Sequence, residues 1–249
     1  MDKNTIVGID LGTTNSVVSV FTENEPKTIK IDNQKLLPSV VSYSDGTFIV
    51  GQTAKNIAIL EPEKTCLSIK RRMGENISIE LGEKKLRPEE ISSIILKKIK
   101  KAVEQKLDMT FDKLRAVITI PAYFTEVQRE ATKQAAELAD IKVERIINEP
   151  TAAALAFGLN KIDDAVFAIY DLGGGTFDIS LIENNAGIIE VLSSKGDSKL
   201  GGDDFDELLS EYIWNKFAKK HALKQKPTRK ELARLKKIAE ETKIKLSND

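Results

Sequence analysis

Residues 168–182 read AIYDLGGGTFDISLI, two apolar segments that flank three consecutive glycines. Apolar and polar residues alternate on both sides of the glycines, which predicts a tight β-hairpin. Three glycines are more than such a turn needs. They let the backbone approach a ligand closely, and bare N–H groups in a turn suit phosphate oxygens. Asp171 and Asp178 would repel a bare phosphate but not one that carries a divalent cation, so the segment predicts a metal–nucleotide site.

A similar hairpin is predicted near the N-terminus. Residues 7–20 read VGIDLGTTNSVVSV, with strands expected at 5–10 and 16–21 around a turn at 11–15. Both hairpins share a first strand, an Asp-Leu-Gly sequence, a threonine-bearing turn and a second strand that contains serine. This repetition predicts two related lobes, each of which presents a hairpin to a shared cleft.

Strands and helices alternate between the two hairpins, which favours an α/β fold with a sheet covered on both faces. The expected strands are 26–31, 38–43, 47–51, 114–120 and 142–148. The expected helices are 53–60, a helical stretch at 65–73, 88–107, 125–139 and an alanine-rich helix that starts at Pro150 and ends at Gly158. Proline suits the first helical position and glycine the C-terminal end.

The second lobe is the shorter of the two. We assign residues 1–163 to the first lobe and residues 164–249 to the second, in which a strand at 187–193 and helices at 205–221 and 229–246 follow the hairpin. If the repeat holds, the second lobe lacks the later strands and helices of the first. We therefore expect an incomplete second lobe.

Composition narrows the classes of partner and of chemistry. Basic and acidic residues both number 38, so no charge surplus points to nucleic acid or to an anionic membrane. The single Cys66 cannot form an internal disulfide, and no leader segment or membrane-length apolar run is evident, so we expect a cytoplasmic protein. One histidine and one cysteine argue against a zinc site and against Ser-His-Asp or Cys-His catalysis.

Other motifs leave two interpretations open. The phosphate-loop pattern GxxxxGK(S/T) is absent, and GGGTFD does not fit the dinucleotide-binding pattern. Lys70, which precedes two arginines, suits either a solvated helix face or a catalytic site. Glu149, which precedes Pro150, either complements a helix dipole or helps to bind magnesium. Asp203 and Asp204 follow two glycines and suit the start of a helix.

Eight segments together resemble the nucleotide-binding domain of the DnaK-type 70-kilodalton heat-shock chaperones, and they occur in the order of that family. They are IDLGTTNS (9–16), LLPSVV (36–41), SIKRRMG (68–74), VITIPAYF (117–124), INEPTAAALAFGL (147–159), IYDLGGGTFDIS (169–180), GDSKLGGDDFD (196–206) and AEETKIKLS (239–247). The resemblance implies an actin-like (ribonuclease H-like) ATPase fold with two lobes around a nucleotide cleft. Actins and sugar kinases share this fold, but the EPTAAALAFG and LGGDDFD segments resemble the chaperones.

The resemblance also implies roles for individual residues in an ATP/ADP site with Mg²⁺, and K⁺ as a further candidate ion. The residues implied to contact the nucleotide are Gly12, Thr13, Thr14, Asn15, Gly174, Gly175, Thr176, Gly201 and Gly202 at the phosphate side, and Glu240, Lys243, Ile244 and Ser247 at the adenosine side. Lys70 would reach the γ-phosphate and orient the attacking water. Asp178 and Thr176 would position that nucleophile. Asp10, Glu149 and Asp171 would hold Mg²⁺ mostly through water.

The implied function is ATP hydrolysis that controls client binding through a rotation of the lobes. J-domain co-chaperones, nucleotide-exchange factors and unfolded clients would be the partners, and clients would bind through a domain absent from this sequence. Two other functions stay open: a truncated, weakly catalytic or non-catalytic binding fragment, and a small-molecule kinase of the same fold. The resemblance also leaves open whether the protein is a general chaperone or belongs to the iron–sulfur-assembly branch of the family.

Overall fold

A computed structural model describes residues 5–158 and 165–247. In the first lobe, the elements in chain order are β1 (Ile6–Leu11), β2 (Asn15–Thr22), β3 (Glu25–Thr28), β4 (Leu37–Pro38), β5 (Val41–Ser44), β6 (Thr47–Val50), α1 (Gln52–Leu60), a 3₁₀ turn (Pro62–Lys64), β7 (Thr65–Cys66), a second 3₁₀ turn (Ile69–Arg72), β8 (Ile79–Leu81), β9 (Lys84–Leu86), α2 (Pro88–Leu107), β10 (Leu114–Ile120), α3 (Glu126–Glu137), β11 (Ile141–Asn148) and α4 (Glu149–Phe157). In the second lobe they are β12 (Ala165–Leu172), β13 (Phe177–Asn185), β14 (Ile188–Asp197), α5 (Gly202–Lys220) and α6 (Arg229–Leu246).

The first lobe is built on a mixed sheet with the strand order β11-β10-β1-β2-β3, and β4 also pairs with β2. β1 runs parallel to β10 and antiparallel to β2, so its C-terminal end opens directly into the hairpin turn at residues 11–15. Alternate residues of β1 are buried, as the period-two pattern predicts. They join the apolar stripe of α2 (Ile91, Ile95, Ile99) in one hydrophobic core.

The second lobe contains an antiparallel sheet in the order β12-β13-β14. It repeats the order and the directions of β1, β2 and β3, and thus places a second hairpin turn at residues 173–176. Helix α4 contacts β10 and β11 as well as β12 and β13, and Ala154 packs against Ile182. The same short helix therefore packs against the sheets of both lobes.

The structure confirms the mixed α/β fold and corrects some of its details. The stretch at 65–73 is not one helix, because residues 65 and 66 pair with β5 and only Ile69–Arg72 forms a short 3₁₀ turn. Ser68 interrupts it with a left-handed backbone (φ 55°). The helix expected at 205–221 begins earlier, at Gly202, and the hairpin of β8 and β9 was not predicted.

In the part of the chain that the structure describes, no helix combines the length and the apolar character needed to span a membrane.

Candidate active site

The two hairpin turns meet tip to tip. We call residues 11–15 the first glycine turn and residues 173–176 the second glycine turn. A Cβ atom on Gly174 would lie 1.8 Å from Oγ1 of Thr14, and one on Gly175 would lie 2.5 Å from Cγ2 of Thr13. A Cβ atom on Gly12 would lie 2.1 Å from the carbonyl oxygen of Asn15 within its own turn. Only glycine fits these positions without displacing backbone or threonine atoms.

The carbonyl groups of the first glycine turn are held from behind by Ser39. Its hydroxyl donates to the Gly12 oxygen (2.8 Å), and its N–H donates to the Thr14 oxygen (2.8 Å). The hydroxyl of Ser16 lies 2.8 Å from that of Ser39, and both side chains are buried. Because the C=O and N–H of a trans peptide point in opposite directions, the Gly12 contact turns the Thr13 N–H away from Ser39.

The second glycine turn is anchored in the same way. Each glycine carbonyl accepts a hydrogen bond from a different donor: Gly173 from the Gly202 N–H (3.0 Å), Gly174 from the Asp203 N–H (2.8 Å) and Gly175 from Nε of Arg71 (2.9 Å). Within the described ranges, no acceptor lies in hydrogen-bond range of the N–H groups of Thr13, Thr14, Gly174 and Gly175. Four backbone donors at facing turns are the kind of group that phosphate oxygens need.

Lys70 lies in the interior, which overturns its interpretation as part of a solvated helix face. Its side chain is only 7% exposed, and Nζ lies 2.6 Å from Oε1 of Glu149. Burial raises the pKa of Glu149; the Lys70 ammonium opposes this shift, while Asp10 and Asp171 add to it. Asp10 itself accepts a hydrogen bond from the Thr119 hydroxyl (2.9 Å). The resemblance placed Lys70, Glu149, Asp10 and Asp171 in one site, and the structure brings them together.

The carboxylates beside the second glycine turn are electrostatically unfavourable when all are charged. Burial raises the pKa of Asp171, and the nearby Asp10 raises it further. Burial likewise raises the pKa of Asp178, and the nearby Asp171 raises it further. The Lys70 ammonium opposes the rise in the pKa of both Asp171 and Asp178. One buried oxygen of Asp178 and the buried hydroxyl oxygen of Thr14 have no hydrogen-bond partner. A cation beside these carboxylates would relieve the excess negative charge.

These side chains fit a magnesium ion that keeps most of its water shell. In the described parts of the chain, no group of three or more acidic, histidine or cysteine side chains is arranged to hold a metal ion by itself. Mg²⁺ usually retains several waters and takes one or two carboxylates plus phosphate oxygens. The four carboxylates Asp10, Glu149, Asp171 and Asp178 thus provide the charge for such an ion without enclosing it.

A cavity of about 460 Å³ adjoins the first glycine turn. Its volume is within the range of about 300–1,000 Å³ that is typical of small-molecule pockets. It is lined by Thr13 and Thr14 and by side chains of α1 and α6, including Glu240 and Ile244. Lys55 of α1 forms an ion pair with Glu240 of α6 (2.7 Å), which joins the lobes across the cavity.

Two of the four residues expected at the adenosine side do not line this cavity. Nζ of Lys243 instead donates to the Gly202 oxygen (2.9 Å) and pairs with Oδ1 of Asp206 (2.7 Å). Ser247 follows the last turn of α6, where its hydroxyl donates to the Lys243 carbonyl (3.0 Å). Gly201 and Gly202 lie against the second glycine turn, and the Thr176 oxygen closes that turn by accepting from the Gly173 N–H (2.9 Å).

Sequence reasoning missed the residues that support the turns from outside. Ser39 gave no signal beyond its place in LLPSVV, and Arg71 was considered only as part of a basic run. Lys55 lies on an ordinary amphipathic helix with no motif around it. Each of these side chains contacts a residue that is distant in the sequence, so the contact becomes evident only in the folded chain.

The fold is that of an actin-like ATPase. It has two lobes with repeated hairpins, glycine turns that face each other and a buried lysine among carboxylates. The family model described as Hsp70 protein matches residues 6–80 and 75–249. The chain therefore belongs to the Hsp70 family. Members of this family are chaperone ATPases that bind ATP or ADP with Mg²⁺ and work with client proteins and co-chaperones.

Replacement of Gly201 tests the packing between α5 and the second glycine turn. A Cβ atom there would lie 2.5 Å from the Gly174 carbonyl atoms and 2.6 Å from the Gly175 nitrogen, so backbone must move. We expect Gly201→Ala to lower the free energy of unfolding by about 1–3 kcal/mol, measured by urea denaturation. Gly8→Ala is the matched control, because a Cβ atom at Gly8 meets nothing within 4 Å. Equal stability of the two variants would contradict the packing.

The pH dependence of stability tests the carboxylate cluster. The folded state raises the pKa of Asp171, so the charged carboxylate costs stability once the pH exceeds the unfolded value of about 4. We expect Asp171→Asn to raise the Tm at pH 7, and the gain to shrink as the pH is lowered toward about 4. Thermal unfolding followed by circular dichroism measures both. Asp45→Asn, in an exposed hairpin turn, serves as control. A gain that is constant with pH would refute the electrostatic cause.

Proposed function

We propose that this chain binds Mg-ATP between its two lobes and hydrolyses it, as the ATPase module of a chaperone. The observation that carries the proposal is the buried Lys70–Glu149 pair (2.6 Å) together with two touching glycine turns that, in the described residues, carry N–H groups without a hydrogen-bond acceptor. Phosphoryl transfer needs positioning and neutralisation of charge more than it needs a covalent intermediate, and these groups are suited to both tasks. Membership of the Hsp70 family supports the same function.

The phosphates would be held by the two glycine turns. Gly12, Thr13, Thr14 and Asn15 would contact them from the first lobe, and Gly174, Gly175 and Thr176 from the second. The turns can do this because their carbonyls are already bound to Ser39, to the start of α5 and to Arg71. Backbone donors that are oriented in advance need no reorganisation when negative charge develops on the phosphate.

Lys70 is the residue proposed to act on the γ-phosphate. Its ammonium group has three donors and lies beside Glu149, with the Phe124 ring centre 5.8 Å from Nζ. Burial strengthens the attraction between this cation and an arriving phosphate oxygen. Asp178, the second residue of β13, has one buried carboxylate oxygen unpaired and can accept a hydrogen bond from the attacking water. Thr176 lies two residues earlier, at the end of the second glycine turn.

Asp10, Glu149 and Asp171 are proposed to hold Mg²⁺ mostly through water. When bound, the ion neutralises charge on the phosphate oxygens. The chain contributes fixed carboxylates at the ends of β1 and β12 and at the start of α4. The repulsion between Asp10 and Asp171 in the absence of a cation favours uptake of one.

Hydrolysis requires the two turns to part. The cavity is lined by Thr13 and Thr14, but Lys70, Asp10, Glu149, Asp171 and Asp178 are not among its lining residues, and Thr14 lies against Gly174. A nucleotide with its base in the cavity and its γ-phosphate at Lys70 would separate the turns. We propose that such an opening is the movement by which ATP state rotates the lobes and controls the grip on unfolded clients. J-domain co-chaperones and nucleotide-exchange factors in the cytoplasm are the proposed partners.

Single-turnover hydrolysis tests the role of Lys70. We expect Lys70→Ala to slow release of phosphate from bound ATP by about a hundredfold or more, because a charged donor to the transition state is lost. The measurement is the rate of ³²P release from ATP with excess protein and Mg²⁺. Lys85→Ala, an exposed lysine on the β8–β9 hairpin, is the control. Equal rates for Lys70→Ala and the unaltered chain would refute the catalytic assignment.

Binding without hydrolysis is the second candidate function. It is favoured by the lining of the cavity, which does not include Lys70. Calorimetric titration with ATP and Mg²⁺ distinguishes the two candidates. Micromolar or tighter binding with phosphate release that depends on Lys70 supports the ATPase. Binding without release supports a nucleotide-binding fragment, and absence of binding contradicts both.

A further inference from the structure

Arg71 links the first lobe to the second glycine turn by a direct hydrogen bond. Its Nε donates to the Gly175 oxygen (2.9 Å). Nη1 and Nη2 form a two-pronged ion pair with Asp204 in the first turn of α5; the Nη1–Oδ1 distance is 3.1 Å. The planar guanidinium group suits this fork, in which two donors are parallel and a third points to the side.

The partner of Arg71 is itself part of the support of the second glycine turn. Oδ2 of Asp204 accepts from the Gly201 N–H (2.7 Å) and so caps α5. The next two N–H groups, of Gly202 and Asp203, hold the carbonyls of Gly173 and Gly174. Arg71 therefore binds both the turn and the helix end that anchors it. The ion pair also lowers the pKa of Asp204, so the carboxylate stays charged at neutral pH.

Arg71 is adjacent to Lys70 in one short, constrained segment. The Arg71 N–H donates to the Ser68 oxygen (3.1 Å), and the Met73 N–H donates to the Lys70 oxygen (3.3 Å). Ser68 has a left-handed backbone that is uncommon for a non-glycine residue, and its hydroxyl bonds to the Asp203 carboxylate in the second lobe. Because these backbone hydrogen bonds hold the 3₁₀ turn at Lys70 and at Arg71, a displacement of Arg71 also displaces Lys70.

We infer that Arg71 is a positioning residue that couples the placement of Lys70 to the second glycine turn across the cleft. Lys70 contacts Glu149, and Arg71, one residue later, contacts Gly175 and Asp204. When the second lobe moves, the fork transmits the movement to the turn that carries Lys70. The importance of this coupling for catalysis rests on the proposed ATPase function. The coupling itself does not.

Arg72 provides a matched control next to Arg71. It belongs to the same 3₁₀ turn and carries the same charge, but its guanidinium group pairs with Glu75 of its own lobe and is half exposed. Arg71→Met and Arg72→Met therefore remove the same group from adjacent positions. Arg71→Lys keeps the charge but cannot bind Gly175 and both Asp204 oxygens together, so it separates geometry from charge.

Amide hydrogen exchange tests the coupling without any nucleotide. The variants are Arg71→Met, Asp204→Asn, their double mutant and Arg72→Met. We expect exchange in residues 198–207 to become about tenfold faster in Arg71→Met, because a hydrogen-bonded charge pair is lost. Exchange in residues 69–74 should rise similarly in Asp204→Asn, although that change is in the other lobe. The double mutant should show little further effect. Additive effects, or an Arg72→Met variant equal to Arg71→Met, would overturn the inference.

Single-turnover hydrolysis then tests the consequence for Lys70. We expect Arg71→Met to lower the hydrolysis rate of bound ATP about tenfold with less than a threefold change in ATP affinity, and Arg71→Lys to lie between it and the unaltered chain. A change in affinity alone would overturn the positioning role. If the unaltered chain hydrolyses no ATP, the proposed function fails, and the exchange cycle still decides whether Arg71 couples the lobes.

Discussion

A peptide group cannot turn its carbonyl and its N–H to the same side, and both glycine turns depend on that constraint. Ser39 holds the carbonyls of the first turn, whereas the start of α5 and Arg71 hold those of the second. The donors on the opposite side are thereby left for a ligand. The anion binding that we propose for the site thus depends on hydrogen bonds made behind it, by side chains and backbone that need not touch the ligand.

Charge distribution adds a second constraint. Four carboxylates lie around one buried lysine, so the cluster is most stable when an additional cation is present. The lysine opposes the raised pKa of all three affected carboxylates, but it neutralises only one charge. This charge distribution supports the proposal that the site takes up an anion together with its metal ion rather than a bare anion.

The sequence predicts the elements that depend on local pattern. The strands around Asp10 and Asp171 follow period-two alternation, and α2 follows its apolar stripe. The 3₁₀ turn at 69–72 was not predicted, because its shape depends on contacts of Ser68 and Arg71 with a helix far along the chain. The resemblance supplied the candidate residues, and the structure groups Asp10, Lys70, Glu149 and Asp171. In the structure Lys243 pairs with Asp206 instead, a tertiary contact that no local sequence pattern predicts.

Helix α4 is short and rich in alanine, and it starts at Glu149. Its buried residues are Pro150 and Ala154, and the helix contacts strands of both sheets. Shear motions between domains proceed by small sliding of packed helices. In the lobe rotation that we propose, α4 is the element that contacts both sheets, and because Glu149 begins it, the partner of Lys70 would move with this helix.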